Sequence, residues 1–272
     1  MSTKQISEVN DGGISVQVAG NFQQGLSFES VERLFQLLLA ENFPKLQEEA
    51  AAKARQYTDE LVRKTYARLS SKIEKISPHK MAEPDVQSTF NDAIQSVARK
   101  GEKANIDLLS DLLELRVEND NSNFLDICIE VAVSIVPKLT QEMLCALATV
   151  QFVQHLTIQD PGALEPMYEI VYREYTSKCD HVTIAKLMTI SAFGAGSYMN
   201  IMGSDTFNQF KQKYLALNAE NAKDKFPFMV RTLSAYDTKE MHKLSLNTPG
   251  QVIAITLLKK NFPLFDLKML IE

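Results

Sequence analysis

The sequence predicts a mainly α fold: a long N-terminal amphipathic helix packed on a multi-helix C-terminal body, with short β elements at the two ends. Three observations carry this prediction. The 272 residues hold only ten glycines and nine prolines, and Ala, Leu, Glu, Lys and Gln, all strong helix formers, are abundant. From Ser27 to Ser77, apolar or small residues recur at steps of mostly four and sometimes three: Val31, Leu34, Phe35 and Leu38, then Leu46, Ala50, Ala54, Tyr57, Leu61, Leu69, Ile73 and Ile76. That is the period of one helix face. Period-two alternation is confined to short runs near the two ends.

The predicted organisation has three parts. Residues 1–26 form a leader with one β-strand, residues 27–80 a long helix or a broken helix pair, and residues 81–272 a helical body ending in a helix–strand unit. In the leader, Ile14, Val16 and Val18 alternate with Ser15 and Gln17, and Gly20-Asn21 follows as a turn. One strand is not stable alone. It pairs with a distant part of the chain, pairs with another copy, or stays a flexible leader. An unpaired strand edge is a template for association, which makes Ile14, Val16 and Val18 candidates for self-association.

Ser27 is a good N-cap, with Glu29 and Glu32 in the first turn. Pro44 either opens a second helix at its first position or kinks a single one. A helix of roughly 50 residues reaches roughly 75 Å, so it needs other helices or a partner chain along its length. Beyond Arg63 it turns basic. Lys64, Arg68, Lys72 and Lys75 share a face and are candidates for binding an anion or a partner. Two plainer readings stand beside that one. The cations are a solvated face, or they meet the acids of residues 102–130 (Glu102, Asp107, Asp111, Glu114, Glu118, Asp120, Asp126, Glu130) within the fold or across a dimer.

Along the body, Val86 to Val97, Ile106 to Val117, Phe124 to Val136, Met143 to Val153, Leu164 to Tyr175, Ile184 to Ile190, Phe207 to Leu217 and Phe226 to Tyr236 read as helices. Asp180 is the expected cap of the Ile184 helix. Gly194-Ala195-Gly196 reads as a helix-ending turn and not a phosphate loop, because neither GxxxxGK[ST] nor GxGxxG is present. In Thr248-Pro249-Gly250, Thr248 is the expected N-cap, followed by proline at the first position of a buried helix. After Pro263, residues Phe265 to Ile271 alternate loosely as a strand, with Leu244–Leu246 as the expected partner.

Composition excludes several function classes. A net charge of −5 argues against a protein that coats DNA, though it leaves room for a local patch. The longest apolar run, Phe124 to Val136, contains Asp126 and Glu130 and falls short of the ~20 residues of a membrane span. The first residues lack the apolar core of a signal peptide. Three widely spaced cysteines suit reduced thiols better than a disulfide framework. The expected location is cytoplasmic.

Chemistry-bearing motifs are lacking. The four histidines show no HExxH, HxH or zinc-finger spacing. Cys179-Asp180-His181 places thiol, acid and imidazole side by side, but a nucleophile and its base normally come from separate elements. No cofactor, metal site or catalytic residue is expected.

Two stretches, ISVQVAGNFQQGLSFESVERLFQLLLAENFPKLQEEAAAKARQYTDELVRK and LSLNTPGQVIAITLLKKNFPLFDLKMLIE, resemble the LPO/Vpar-type family of uncharacterised bacterial helical proteins. The first shows a strand before an LS-x-E-x-V helix start. The second is similar to a T-x-x-G-x-x-I-A helix with a final strand, but holds Leu267-Lys268-Met269 where a tryptophan is expected. The resemblance implies a bacterial cytoplasmic protein encoded with mobile elements or antiphage defence genes, and it transfers no catalytic residue. The unpaired leader strand and a helix too long to be covered by its own chain make the leading expectation a non-enzymatic scaffold that self-associates through residues 1–80, as a defence sensor or adaptor, with another copy or another protein as its partner. A nucleic-acid or nucleotide binder using the basic stripe is the runner-up, and an enzyme whose site is assembled from distant residues comes third.

Overall fold

The structure, a computed structural model, describes residues 28–118, 121–200, 203–263 and 265–267. The chain divides into two compact units, Met1–Ala51 and Ala52–Glu272. The described part of the first unit is helical throughout, Pro44 included. Helix α1, Phe28–Ser71, therefore neither closes at Asn42-Phe43 nor restarts at Pro44. The expected cap Ser27 and the leader strand lie outside the described residues.

Beyond α1 come α2 (Pro78–Met81), α3 (Pro84–Lys100), α4 (Ile106–Arg116), α5 (Asn123–Ile135), α6 (Gln141–His155), α7 (Pro161–Glu174) and α8 (Ile184–Ala192). Strand β1 (Gly196–Tyr198), α9 (Thr206–Lys213), α10 (Ala222–Lys225), α11 (Pro227–Thr238), strand β2 (Leu244–Leu246) and α12 (Thr248–Lys259) complete the described chain. The fold is mainly α, as predicted.

The long helix stops earlier than its apolar period suggests. Ser77 precedes Pro78, which favours extended backbone at Ser77, and Ser77 is extended with ψ 108° while its side chain caps α2. Its N–H donates to Val117 O at 2.9 Å, and Ile76 bridges to Glu118. This short extended passage replaces the last helical turn.

The body is built around α6 and α12, which pack against each other. Every residue of α6 from Met143 to Val153 is buried, as is every residue of α12 from Val252 to Leu258. A helix apolar nearly all round has nowhere else to go, and each fully buried Leu, Ile or Phe contributes roughly 1.5–3 kcal/mol. Helices α4 and α5 cover α12 on one side, and α7 and α11 pair beside α6. Phe152 of α6 meets Tyr168 of α7 edge to face, with centroids 5.1 Å apart.

Capping follows local chemistry, with two shifts from the predicted positions. Thr140 caps α6 through Met143 N. Thr183, not Asp180, caps α8 through Lys186 N. Asn247, one residue before the expected Thr248, caps α12 by accepting from Gly250 N. Gly194, at φ 87°, ends α8 as the predicted turn, in the left-handed conformation that glycine adopts without penalty.

The β2 pairing differs from the expected one. Leu244–Leu246 pairs antiparallel with Gly196–Tyr198, in the register Gly196↔Leu246, Ser197↔Ser245, Tyr198↔Leu244. A three-residue strand starting on a glycine carries too little alternation to be legible. Phe265–Leu267 is not strand, and the rest of that predicted strand lies outside the described residues.

Candidate functional site

The basic stripe of α1 runs along α4. Lys64 Nζ lies 2.8 Å from Glu60 Oε1 and 2.9 Å from Asp107 Oδ1. One turn on, Arg68 Nε donates to Asp111 Oδ1 at 2.5 Å, and another turn on Lys72 pairs with the buried Glu114. The rungs arise because 64 and 68 share one face of α1, with Lys72 in the turn just past its end, while 107, 111 and 114 share one face of α4. Lys75 lies in a 3-10 turn after α1, with no described carboxylate at ion-pair distance. Hydrogen bonds to Glu60 and Asp107 raise the Lys64 pKa. Burial pushes the Asp107 carboxyl up, but the Lys64 hydrogen bond and neighbouring cations hold it below its usual value overall.

A second ionic cluster is centred on Arg116, the last residue of α4. Arg116, 2% exposed, reaches Asp85 Oδ2 of α3 at 2.6 Å and Asp126 Oδ2 of α5 at 3.3 Å. Asp126 also takes Lys80 Nζ at 2.7 Å and Asn121 Nδ2 at 3.0 Å. A buried guanidinium needs such compensation, and here two carboxylates supply it while joining three helices.

The outward side of α1 in this unit is different. Val62 is 55% exposed and Tyr66 is 71% exposed. With the exposed Arg55 they fall within an arc of about 40° at 100° per residue. On the inward side, Leu61 and Thr65 are buried. The self-association candidates of the leader, Ile14, Val16 and Val18, lie outside the described residues.

Sequence reasoning passed over one polar cavity. A space of about 350 Å³ is lined by Gln154, Ser204, Thr206, Lys213, Tyr236 and His242, among others. The Asp237 carboxylate accepts from Thr206 N at 2.8 Å and Thr206 Oγ1 at 2.5 Å. The His242 side chain is 7% exposed, with Nδ1 3.9 Å from Asp237 Oδ1. That is beyond hydrogen-bond reach, so imidazole, acid and hydroxyl are near one another without forming a relay. These residues come from α9, α11 and the turn before β2, and no sequence spacing links them.

Cys179 and His181 are not brought together as a nucleophile and base. Cys179 is buried and donates its thiol to Tyr175 O, and burial pushes its pKa up to about 12. His181 is exposed. A thiol held protonated is a poor nucleophile. Among the described residues, no group of three or more His, Cys, Asp or Glu side chains could hold a metal ion, and no helix is long and apolar enough to cross a membrane.

A protein-family model described as ":-like" matches residues 25–223, more than half of the chain. The chain belongs to that family. The family region runs from just before α1 to α10, so it contains the ion-pair ladder, the Arg116 cluster and the outward stripe of α1. The α12 unit lies beyond it. No curated protein and no solved structure matches.

Proposed function

We propose that the chain is a non-enzymatic interaction protein that self-associates through the outward stripe of α1. The observation that carries this reading is the exposure of Val62 and Tyr66, 55% and 71%, on a helix whose opposite side is locked to α4. The occupant is a second copy. The stripe is self-complementary about a two-fold axis between Glu60 and Leu61, which sets Arg55 of each copy opposite Tyr66 of the other. Guanidinium over a phenol ring is a favourable cation–π pair, and a two-fold interface repeats it.

Sedimentation of the full chain beside a Val62→Glu/Tyr66→Glu variant tests the reading. The expected result is an assembly for the native chain and a monomer with unchanged circular dichroism for the variant. A native monomer overturns self-association. An assembly that survives the double substitution but dissociates when residues 1–25 are removed moves the contact to Ile14, Val16 and Val18. The finer family assignment, to the LPO/Vpar-type group with a role as a defence sensor or adaptor, is supported by the sequence resemblance. It predicts that deleting the gene raises phage plaque counts.

A further inference from the structure

We infer that the groove between the end of α3 and the start of α6 binds the phosphate chain of a small polyphosphate ligand of the nucleoside triphosphate class. The groove has a volume of about 840 Å³, and Arg99, Lys100, Lys103 and Lys138 line it against a single carboxylate, Glu102. Four cations less one acid give a local charge of +3 on a chain whose net charge is −5.

Pairing separates these cations from those of the ladder. Lys64, Arg68 and Lys72 each meet a carboxylate. Among the described residues, no carboxylate lies at ion-pair distance from any of the four groove cations. Arg99 donates to the neutral Gln95 Oε1 at 3.4 Å, and Lys100 donates to Pro137 O at 2.7 Å. Neutral acceptors orient a cation without cancelling its charge. Charge of one sign concentrated in a concave surface raises the local concentration of anions.

The backbone holds the cations in place. Gly101 and Asn105, at φ 59° and 58°, bracket the short turn that carries Lys103. A side chain at position 101 would strike the Tyr57 ring, 2.6 Å from an added Cβ. Asn105 Nδ2 lies 3.4 Å from both Lys103 O and Leu139 O, which ties this turn to the segment carrying Lys138. Thr140 and Gln141, at the start of the 15-residue α6, form another part of the wall, so the positive end of that helix dipole adds to the field. No lining residue is aromatic. The groove therefore offers phosphates charge and offers a base no stacking surface, and it reads the phosphate chain irrespective of the base.

Titration calorimetry on the full chain tests this with inorganic triphosphate, ATP and a roughly 20-nucleotide oligo-dT as probes. Triphosphate and ATP are expected to bind within about threefold of each other. Lys103→Glu/Lys138→Glu should weaken both by at least about tenfold, with unchanged circular dichroism. Lys103→Gln/Lys138→Gln serves if charge reversal perturbs folding, and it should weaken binding by a smaller factor. Absence of triphosphate binding, or binding indifferent to both variants, overturns the proposal. Oligo-dT binding more than tenfold tighter than ATP and lost in the same variants overturns the small-ligand assignment and makes a nucleic-acid backbone the source of the phosphates.

Discussion

Arg68 Nε stands 2.5 Å from Asp111 Oδ1, and Lys260 Nζ lies 3.3 Å from the other oxygen of the same carboxylate. Asp111 on α4 thus ties α1 to the residue that follows α12. Arg68 and Asp111 are each about three-quarters buried at the side chain, so water screens the pair less than a surface pair. Arg68→Ala should destabilise the fold by about 1–2 kcal/mol, a fall of about 2–4 °C in Tm per kcal/mol for a chain of this size. A double-mutant cycle with Asp111→Ala, read by urea unfolding, should return a coupling of about 1 kcal/mol. Zero coupling would make the ladder a solvated face.

How much of this was legible in the sequence depends on how local the cause is. The periods of the body helices and the Gly194 stop are written within a few residues, and they stand where expected. The acids that meet Lys64, Arg68 and Lys72 could be named from composition, but their pairing needed α4 to fold back beside α1. The β2 partner was out of reach because Gly196–Tyr198 has no strand pattern of its own. The polar cavity was out of reach because Thr206, Asp237 and His242 converge only through tertiary packing. The groove cations were passed over for the opposite reason. They are scattered through residues 99–138, and only the turn pinned by Asn105 assembles them.

Glu165 illustrates a cap supplied from far along the chain. Its carboxylate on α7 accepts from Phe228 N at 2.7 Å and Met229 N at 3.3 Å, at the start of α11, where Phe226 provides no side-chain cap. Removing a capping acceptor typically costs about 1 kcal/mol. Glu165→Ala should lower stability by about that amount, measured by urea midpoint. Glu165→Gln, with one acceptor oxygen in place of two, should fall between the two. Equal stability of all three would show that solvent satisfies these amides equally well.

The Lys64–Asp107 rung predicts sensitivity at both ends of the pH scale. The Asp107 pKa is lowered by folding, so its contribution is complete above the unfolded value of about 4 and disappears as pH falls through the lower folded value. The Lys64 pKa is raised, so its contribution is complete below the unfolded value of about 10.4 and disappears as pH climbs through the higher folded value. Asp107→Asn removes the carboxylate from both couplings. The difference in urea midpoint between native and variant chains should be widest near neutrality and narrow toward both extremes. A constant difference from acid to alkali would mean that packing, and not charge, sets the effect.

Gly250 tests whether the start of α12 tolerates any side chain. It precedes the buried run of α12, and a Cβ there would sit against the carbonyl oxygen of Ala195, with the carbonyl carbon 2.8 Å away. The obstacle is backbone, which cannot rotate aside as a side chain can. The same junction is held by Asn247, which donates through Nδ2 to Gly194 O at 2.7 Å and accepts from Gly250 N at 3.1 Å. Gly250→Ala must therefore push α12 off the Gly194–Gly196 turn, straining the Asn247 bridge and the β1–β2 pairing beside it. A loss of about 3 kcal/mol is expected. Gly203 is the control, since an added Cβ there meets nothing within 4 Å, and its alanine variant should stay within about 0.5 kcal/mol of the native chain. If thermal unfolding gives the two variants the same Tm, the close approach of α12 to Ala195 is not what requires glycine in Thr248-Pro249-Gly250.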